Sequence, residues 1–404
     1  MDQILQEAWA DREYIINLRR EFHREPELGV DTFKTAEKVE RELDLIGVPH
    51  ARIGKAGVVG IIRGSLPGDR MIALRADMDA LPITEVSDAP YCSINKGVMH
   101  ACGHDAHTAG LIGGARILAA HRDEFAGEAR LIFQPGEELG QGLQEFFDSG
   151  VLSGAGRAFG IHMAPDLPAG SVGIKKGPNN ASVDQFLITL YGKSSHISTP
   201  HKGADAIAMA VEAINAMQTF MLKCNSPVEP ILFGVGRLSG GTTYNALAEK
   251  VEIEGTVRAF SEEKRVMLKN KVEEIFCGMA ALYGGRADVC WHDNGPAVIN
   301  SDEPCEELKL MVDRTWGEGH VITDRELSFA GDNFADFMVK GIPGVYVHLG
   351  TQSPEVPGSD SPLHSVNFAI DENVLPFAAH LHASYALWYL SGIFDVMKQG
   401  KADK

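Results

Sequence analysis

The chain has 404 residues, of which 44% are hydrophobic and 23% charged, and its net charge is −18 at pH 7. That length exceeds one ordinary hydrophobic core and predicts two domains with the composition of a soluble globular protein. The acidic balance argues against nucleic acid and anionic membrane surfaces as partners, since both need basic patches, but leaves room for a small anionic substrate held by one or two local cations.

The first residues carry charges throughout, with no basic segment leading into an apolar run. No stretch approaches the roughly 20 apolar residues of a membrane span, so a cytoplasmic location is expected. Residues 12–48 predict two helices broken at Glu27-Leu28-Gly29, with Thr32 as cap of the second. Apolar strands follow at 58–62, 71–74 and 129–133, with a helix over 107–120 between the last two. Such alternation predicts an α/β sheet with helices on its faces.

The pattern changes near residue 180. A strand at 186–191, a helix at 205–221, strands at 231–235 and 251–257, a helix at 261–282 and a strand at 287–291 form the order βαββαβ, the ferredoxin-like arrangement. The helix at 261 opens on Ser-Glu-Glu, a capping signature. βα elements resume at 308–316, 344–349 and 371–390, so residues 182–296 read as a module inserted into a larger domain made of 1–181 and 297–404. The tail 398–404 is expected to fray. Six cysteines (Cys92, Cys102, Cys224, Cys277, Cys290, Cys305) form no CxxC pair and are expected as free thiols. Five of them read as inert packing residues, with Cys102 the exception because of its neighbours.

Three segments carry chemistry. His100, Cys102, His104, Asp105 and His107 crowd a loop that runs into a helix, and imidazole and thiolate suit zinc, manganese, nickel or cobalt. Glu137 and Glu138 follow Gln134-Pro135-Gly136 at the end of a strand, where one carboxylate is able to ligate metal while the other acts on water as general base. Asp77 and Asp79 leave another strand on the same face, with the spacing that lets a carboxylate orient a metal-bound histidine. Read alone, each segment also admits a bland account: a histidine-rich helix start, a solvated acidic loop, a polar turn. His162 and His364 are single histidines, and taken singly such residues are more often structural.

Together, Arg75-Ala76-Asp77-Met78-Asp79-Ala80-Leu81-Pro82, then residues 99–107, then Gln134-Pro135-Gly136-Glu137-Glu138 and Gly160-Ile161-His162 resemble the aminoacylase/carboxypeptidase-type metallo-amidohydrolases. That group includes hippurate hydrolases, auxin-conjugate hydrolases and N-acetyldiaminopimelate deacetylases, and the resemblance covers nearly the whole chain. It implies a two-domain α/β fold, with a zinc-peptidase-like catalytic domain and an inserted ferredoxin-like lid through which homodimers or homotetramers form. Cys102, His104, Glu138, His162 and His364 match the ligands of two divalent metal ions (Mn, Zn, Ni or Co). Glu137 matches the general base and Asp79 the partner that orients a ligand. In the lid, His196 matches a histidine that stabilises the reacting carbonyl, Asn245 and Arg258 match positions that bind the substrate's carboxylate, and His201 belongs to the same substrate-binding group.

The implied activity is metal-dependent hydrolysis of an N-acyl amino acid to a carboxylic acid and an amino acid. Deamination or other C–N hydrolysis, short-peptide carboxypeptidase activity and a catalytically dead binding homologue are the rival readings. The chain departs from the family pattern at Ser194-Ser195-His196-Ile197-Ser198, at Gly331-Asp332-Asn333-Phe334 and at Ser365-Val366. These departures point to a specialised N-acyl amino acid, such as an aromatic-acyl or indole-acetyl conjugate.

Overall fold

The structure, a computed structural model, describes residues 2–402. Its contacts divide the chain into two compact units. One comprises Met1–Gly177, Asn300–Glu326 and Asp336–Lys404; the other comprises Pro178–Ile299 and Leu327–Ala335. The segment Leu327–Ala335, expected with the larger part, joins the smaller unit.

The larger unit begins with helices α1 (Gln3–Ala10), α2 (Arg12–Arg24) and α3 (Phe33–Leu45). Strands β1 (His50–Ile53), β2 (Gly57–Arg63) and β3 (Leu66–Asp77) lead to α4 (His104–Ala120). Then come β4 (Ala126–Gln134), α5 (Leu143–Asp148), β5 (Arg157–Pro168) and β6 (Val172–Gly173). Thr32 does stand before α3, but its hydroxyl caps nothing. Glu27 does that work instead, since its carboxylate accepts from the Lys34 and Thr35 amides at 3.2 and 2.8 Å.

The chain passes through β7 (Gly177–Asn180) into the smaller unit, formed by β8 (Val183–Tyr191), α6 (Ala206–Lys223), β9 (Ile231–Gly240), β10 (Lys250–Ala259), α7 (Glu262–Leu282) and β11 (Arg286–Gly295). These strands make an antiparallel sheet in the order β11-β8-β10-β9, which is the ferredoxin-like order. Strict alternation along β8 buries Phe186, Ile188 and Leu190 against the Met209, Ala213 and Met217 face of α6 and the Leu268, Val272 and Phe276 face of α7. Ser261 caps α7 by accepting from the Lys264 amide at 3.3 Å.

After β12 (Val298–Asn300), the larger unit is completed by α8 (Asp302–Thr315), β13 (Val321–Ile322), α9 (Ala335–Val339), β14 (Gly344–Gln352), α10 (Leu375–Leu390) and α11 (Ile393–Ala402). Its eight-stranded sheet runs β1-β2-β4-β3-β5-β14-β6-β13, and the central strands β4, β3, β5 and β14 are parallel. The expected fraying of the tail is corrected as far as residue 402 by α11, where Lys398 pairs with Glu303 at 2.6 Å and Glu307 at 2.9 Å; residues 403–404 lie outside the described residues. All six cysteines are free, but Cys224, Cys277 and Cys290 are exposed, so they are not packing residues.

Two consequences place the functional segments. From β3 the chain crosses through α4 to β4 on one side, whereas β5 lies on the other; ligands of open α/β sheets bind beyond the strand ends at such a divergence. Second, α4 lies close against α10 because it carries glycines: a Cβ at Gly110 would sit 2.8 Å from Ala378 Cβ, and one at Gly114 2.7 Å from His382 Cβ. Among the described residues no helix is long and apolar enough to cross a membrane.

These contacts make opposite predictions for two helical glycines. Gly114→Val overpacks the α4–α10 contact and should lower unfolding stability by about 1–3 kcal/mol. Gly278→Ala in α7 meets nothing within 4 Å and should raise it by about 0.5–1 kcal/mol. Urea titration of both variants checks the signs.

Candidate metal centre

The acidic and imidazole residues of the larger unit converge where β3 and β4 end, beside the middle of β5. β3 delivers Asp77 and, two residues later, Asp79; both are buried. β4 ends at Gln134, and Gly136, at φ 74°, turns the chain into the short 3-10 turn Glu137–Leu139. Only a residue without a side chain takes that turn easily, because a Cβ there would lie 2.7 Å from Val30 Cγ1. Gly103, at φ 93°, opens α4 directly before His104 in the same way.

Asp79 joins these pieces. One of its carboxylate oxygens accepts from the Glu137 amide at 2.9 Å and the other from the Glu138 amide at 3.1 Å. Its backbone carbonyl accepts from His104 Nδ1 at 2.8 Å. The expectation that an Asp79 carboxylate oxygen would orient a histidine is therefore modified. The carboxylate lies 3.6 Å from that nitrogen, because it is engaged by the two glutamate amides.

Asp77 serves a different histidine. Its carboxylate accepts a hydrogen bond from His107 Nδ1 at 2.6 Å and pairs with Arg75 Nη1 at 2.6 Å. His107 Nε2 in turn accepts from the Met163 amide at 2.9 Å, so both His107 nitrogens are committed to holding β5 against α4. Arg75 is fully buried and also donates to the Gln134 side chain at 2.9 Å, which fixes the strand end before the glutamates. Arg75 and Gln134 were not recognised as site residues in the sequence, although an arginine two residues before an aspartate in an apolar strand was a usable signal.

The same test frees other atoms. His104 uses Nδ1 on Asp79, and His162 uses Nδ1 on the Met163 carbonyl at 2.7 Å, so each has Nε2 available as a lone-pair donor. His162 Nε2 lies 3.4 Å from Cys102 Sγ. His104 Nε2 and Glu138 Oε1 are buried without a hydrogen-bond partner. His364 Nε2 lies 3.4 Å from Glu138 Oε1. The ligand atoms of Cys102, His104 and His162, those of Cys102, Glu138 and His364, and those of His104, Glu137 and Glu138 each lie within 4.8 Å of one another.

His364 is the one non-glycine residue with positive φ, 64°, among the described residues. That conformation costs on the order of 1–2 kcal/mol, and it is held here by the His364 amide donating to the Ala101 carbonyl at 2.8 Å. The loop bearing His364 is thus tied to the segment bearing Cys102.

The electrostatics favour a cation. Burial, and then the His107 imidazole, push His162 well below its ordinary range, so its imidazole is neutral. Burial and the Glu138 charge push the Cys102 thiol well above its range. Burial would also lift Glu138, but the His364 and His104 imidazoles outweigh it. Burial would lower His104, but Asp77 and Cys102 raise it well above its range, so this nitrogen draws positive charge. A soft thiolate, two imidazoles presenting Nε2 and a carboxylate with an unpartnered buried oxygen fit a divalent transition-metal ion.

His196, His201, Asn245 and Arg258 belong to the smaller unit. A bridge there places His196 opposite Ala246, and the Ile197 amide donates to the Asn245 carbonyl at 3.0 Å, so His196 and Asn245 are neighbours. His201 is exposed in the 3-10 turn Pro200–Lys202. Arg258 is half-buried on β10, donates to the Phe329 carbonyl at 2.7 Å, and has no carboxylate at ion-pair distance among the described residues.

The profile described as Peptidase family M20/M25/M40 matches residues 73–388. The chain is 36% identical over 384 residues to an N-acetylcysteine deacetylase of Bacillus subtilis, covering 94% of this chain and 97% of that protein. It is 36% identical over 380 residues to thermostable carboxypeptidase 2 of Saccharolobus solfataricus, covering 93% and 95%. It superposes on the crystal structure of the Bacillus subtilis YXEP protein, described as a dinuclear metal binding peptidase of the M20 family, with a TM-score of 0.82 at 35% identity and coverage of 94% and 99%.

Asp79→Asn tests the junction. An amide can accept from only one of the two glutamate amides, so one buried donor loses its partner, at a cost of about 1–3 kcal/mol. Affinity for zinc or manganese should fall about 10–100-fold, measured by competition with a chelator.

Proposed function

The chain belongs to Peptidase family M20/M25/M40 and is a hydrolase of amide bonds, and from that premise we propose that it cleaves the amide of an N-acyl amino acid, releasing a carboxylic acid and an amino acid. The observation that carries the proposal is the cluster in which Cys102, His104 and His162 present ligand atoms to one another beside the Glu137–Glu138 pair. The deacetylase relative supports the acyl class of substrate.

Two divalent ions, drawn from Mn, Zn, Ni and Co, would be held by Cys102, His104, Glu138, His162 and His364. Bound there, they would supply Lewis acidity to the scissile carbonyl and acidify the attacking water. Glu137 is the general base: its carboxylate takes the proton of the attacking water and returns it to the nitrogen of the leaving amino acid. Its reach is set by Asp79, which holds the Glu137 amide, while Glu138 on the same turn is committed to the ligand set.

The smaller unit carries the remaining roles. We assign to His196 the stabilisation of negative charge on the acyl oxygen, and to Arg258 and Asn245, with His201, the recognition of the substrate's carboxylate. The lone guanidinium of Arg258 supports that assignment, because a half-buried cation without a carboxylate partner is suited to an anionic ligand. A homodimer or homotetramer through this unit is the assembly we propose. β9 is a sheet edge exposed from residue 236 onward, and Ile207 and Val211 stand exposed on α6.

Glu137→Gln should keep its metal by elemental analysis while kcat falls about 10²–10⁴-fold. Normal turnover in the metal-loaded variant would remove Glu137 from the mechanism. A panel of N-acetyl, N-benzoyl and indole-acetyl amino acids beside unblocked dipeptides tests the substrate class. Faster hydrolysis of the dipeptides would make the enzyme a carboxypeptidase, and ammonia release would make it a deaminase.

A further inference from the structure

The outward face of the four-stranded sheet has a gap in it. On β9, Leu232 pairs with Arg258 and Gly234 with Thr256 of β10, and Thr256 pairs with Gln185 of β8. These residues share one face because neighbouring strands keep side chains in register and alternate residues point to opposite sides. The register then slips between Glu254 and Gly255, so that Gly236 is an extra residue in β9. An open groove of about 480 Å³ follows, bordered by Gln185, Gly234, Gly236, Arg237, Glu254 and Thr256.

Neither packing nor backbone conformation requires glycine at these two places. A Cβ at Gly234 would make ordinary contacts, 3.6 Å to Leu232 and 4.0 Å to Thr256, and one at Gly236 would come no nearer than 4.0 Å to the Glu254 carbonyl. Both positions lie outside the left-handed region. Glycine within a strand nevertheless weakens it, and strands favour β-branched residues there. Elsewhere in the same sheet the reason for glycine is plain: at Gly255 a Cβ would lie 2.2 Å from the Gly234 carbonyl and from the Phe186 ring. At Gly234 and Gly236 the effect is to leave space on the sheet.

That space adjoins Arg258. Gly234 is two residues along β9 from the partner of Arg258, about 7 Å at 3.3 Å per residue. Arg258 and Gly234 thus stand near one another on one face of the sheet, and a phenyl or indole ring is flat and wide enough to lie over Gly234 between Leu232, Thr256 and Gln185. Covering the groove with a large aromatic side chain would strengthen binding about tenfold over a methyl group.

We propose that the groove at Gly234 receives the side chain of the amino-acid half of the substrate, and that the enzyme therefore prefers conjugates of large aromatic amino acids. The inference rests on the N-acyl amino acid reading and on the role it gives Arg258. Gly234 acts as a specificity residue through the volume it leaves open.

Gly234→Val fills the gap with a β-branched residue that favours a strand. The test compares kcat/KM for matched pairs with a common acyl group, N-acetylphenylalanine with N-acetylalanine and indole-3-acetylphenylalanine with indole-3-acetylalanine, in metal-loaded protein. Wild type should favour the phenylalanine conjugate, and the variant should lower that preference at least tenfold, mainly through KM. Gly234→Ala should lower it about threefold and gives the same readout if the valine variant does not fold. Gly278→Ala, on α7 and outside any site, should leave the preference at its wild-type value. A preference that stays within twofold of wild type in a folded Gly234 variant, or a wild type that favours alanine conjugates, overturns the groove assignment alone. A wild type that cleaves none of the four conjugates overturns the N-acyl amino acid reading and the groove with it.

Discussion

Asp79 is the constraint on which the site depends. The start of α4, the turn after β4 and the middle of β5 must be brought together before the cluster of Cys102, His104, Glu138 and His162 exists, and this one residue is bonded to two of those segments. Its carboxylate fixes the Glu137 and Glu138 amides, and its carbonyl fixes the ring of His104. Burial raises its carboxyl pKa, and hydrogen bonding and charge from His104 partly offset that rise. Two amide donors to one buried carboxylate contribute more than neutral hydrogen bonds of the same length. The placement of Glu137 and the orientation of the His104 ring are thus not independent features of the fold.

A second network lies behind the first and does the work of a frame. Arg75 is bonded to Asp77 and Gln134, Asp77 to His107, and His107 to the Met163 amide, so β3, β4, α4 and β5 are linked by buried polar contacts next to the ligands. Asp105, beside His104, is held in turn by Arg19 and His23 of α2. The glycines of α4 bring α10 close behind the same helix. Such buried polar networks specify one arrangement of the elements more than they add to stability.

How far the sequence revealed this depends on whether the information is local. The segments at 100–107 and 134–138 were legible because their residues are near one another in the chain and their donor chemistry is unusual. The βαββαβ order was legible because strict alternation in β8 and β10 and the apolar faces of α6 and α7 are periodic signals. His162 and His364 looked ordinary in isolation, and their meeting with Cys102 and Glu138 comes from parallel pairing of β3 with β5 and from a left-handed residue at 364. Of His100, His104 and His107, the resemblance singled out His104, but the bonds that commit both His107 nitrogens to Asp77 and the Met163 amide are tertiary and were not legible. The exposed cysteines and the helical tail were misread because an apolar-looking thiol or a lysine-rich end does not reveal its tertiary neighbours.

Cys102 illustrates how the chemistry and the folding energetics are joined. It is buried beside a carboxylate, and both facts disfavour the thiolate, so this sulfur is poorly suited to act as a nucleophile by itself. A thiolate there requires a neighbouring positive charge, and the residues that would hold such a charge are the ones whose nitrogens and oxygens lack partners, His104 Nε2 and Glu138 Oε1. A bound cation would therefore relieve the buried sulfur, the unpartnered imidazole nitrogen and the unpartnered carboxylate oxygen at once, and its binding free energy would count toward the stability of the strand ends. Metal affinity should for that reason depend on pH through the proton released by the thiol. The same frame that orients the ligands also sets how strongly the folded larger unit is coupled to its metal.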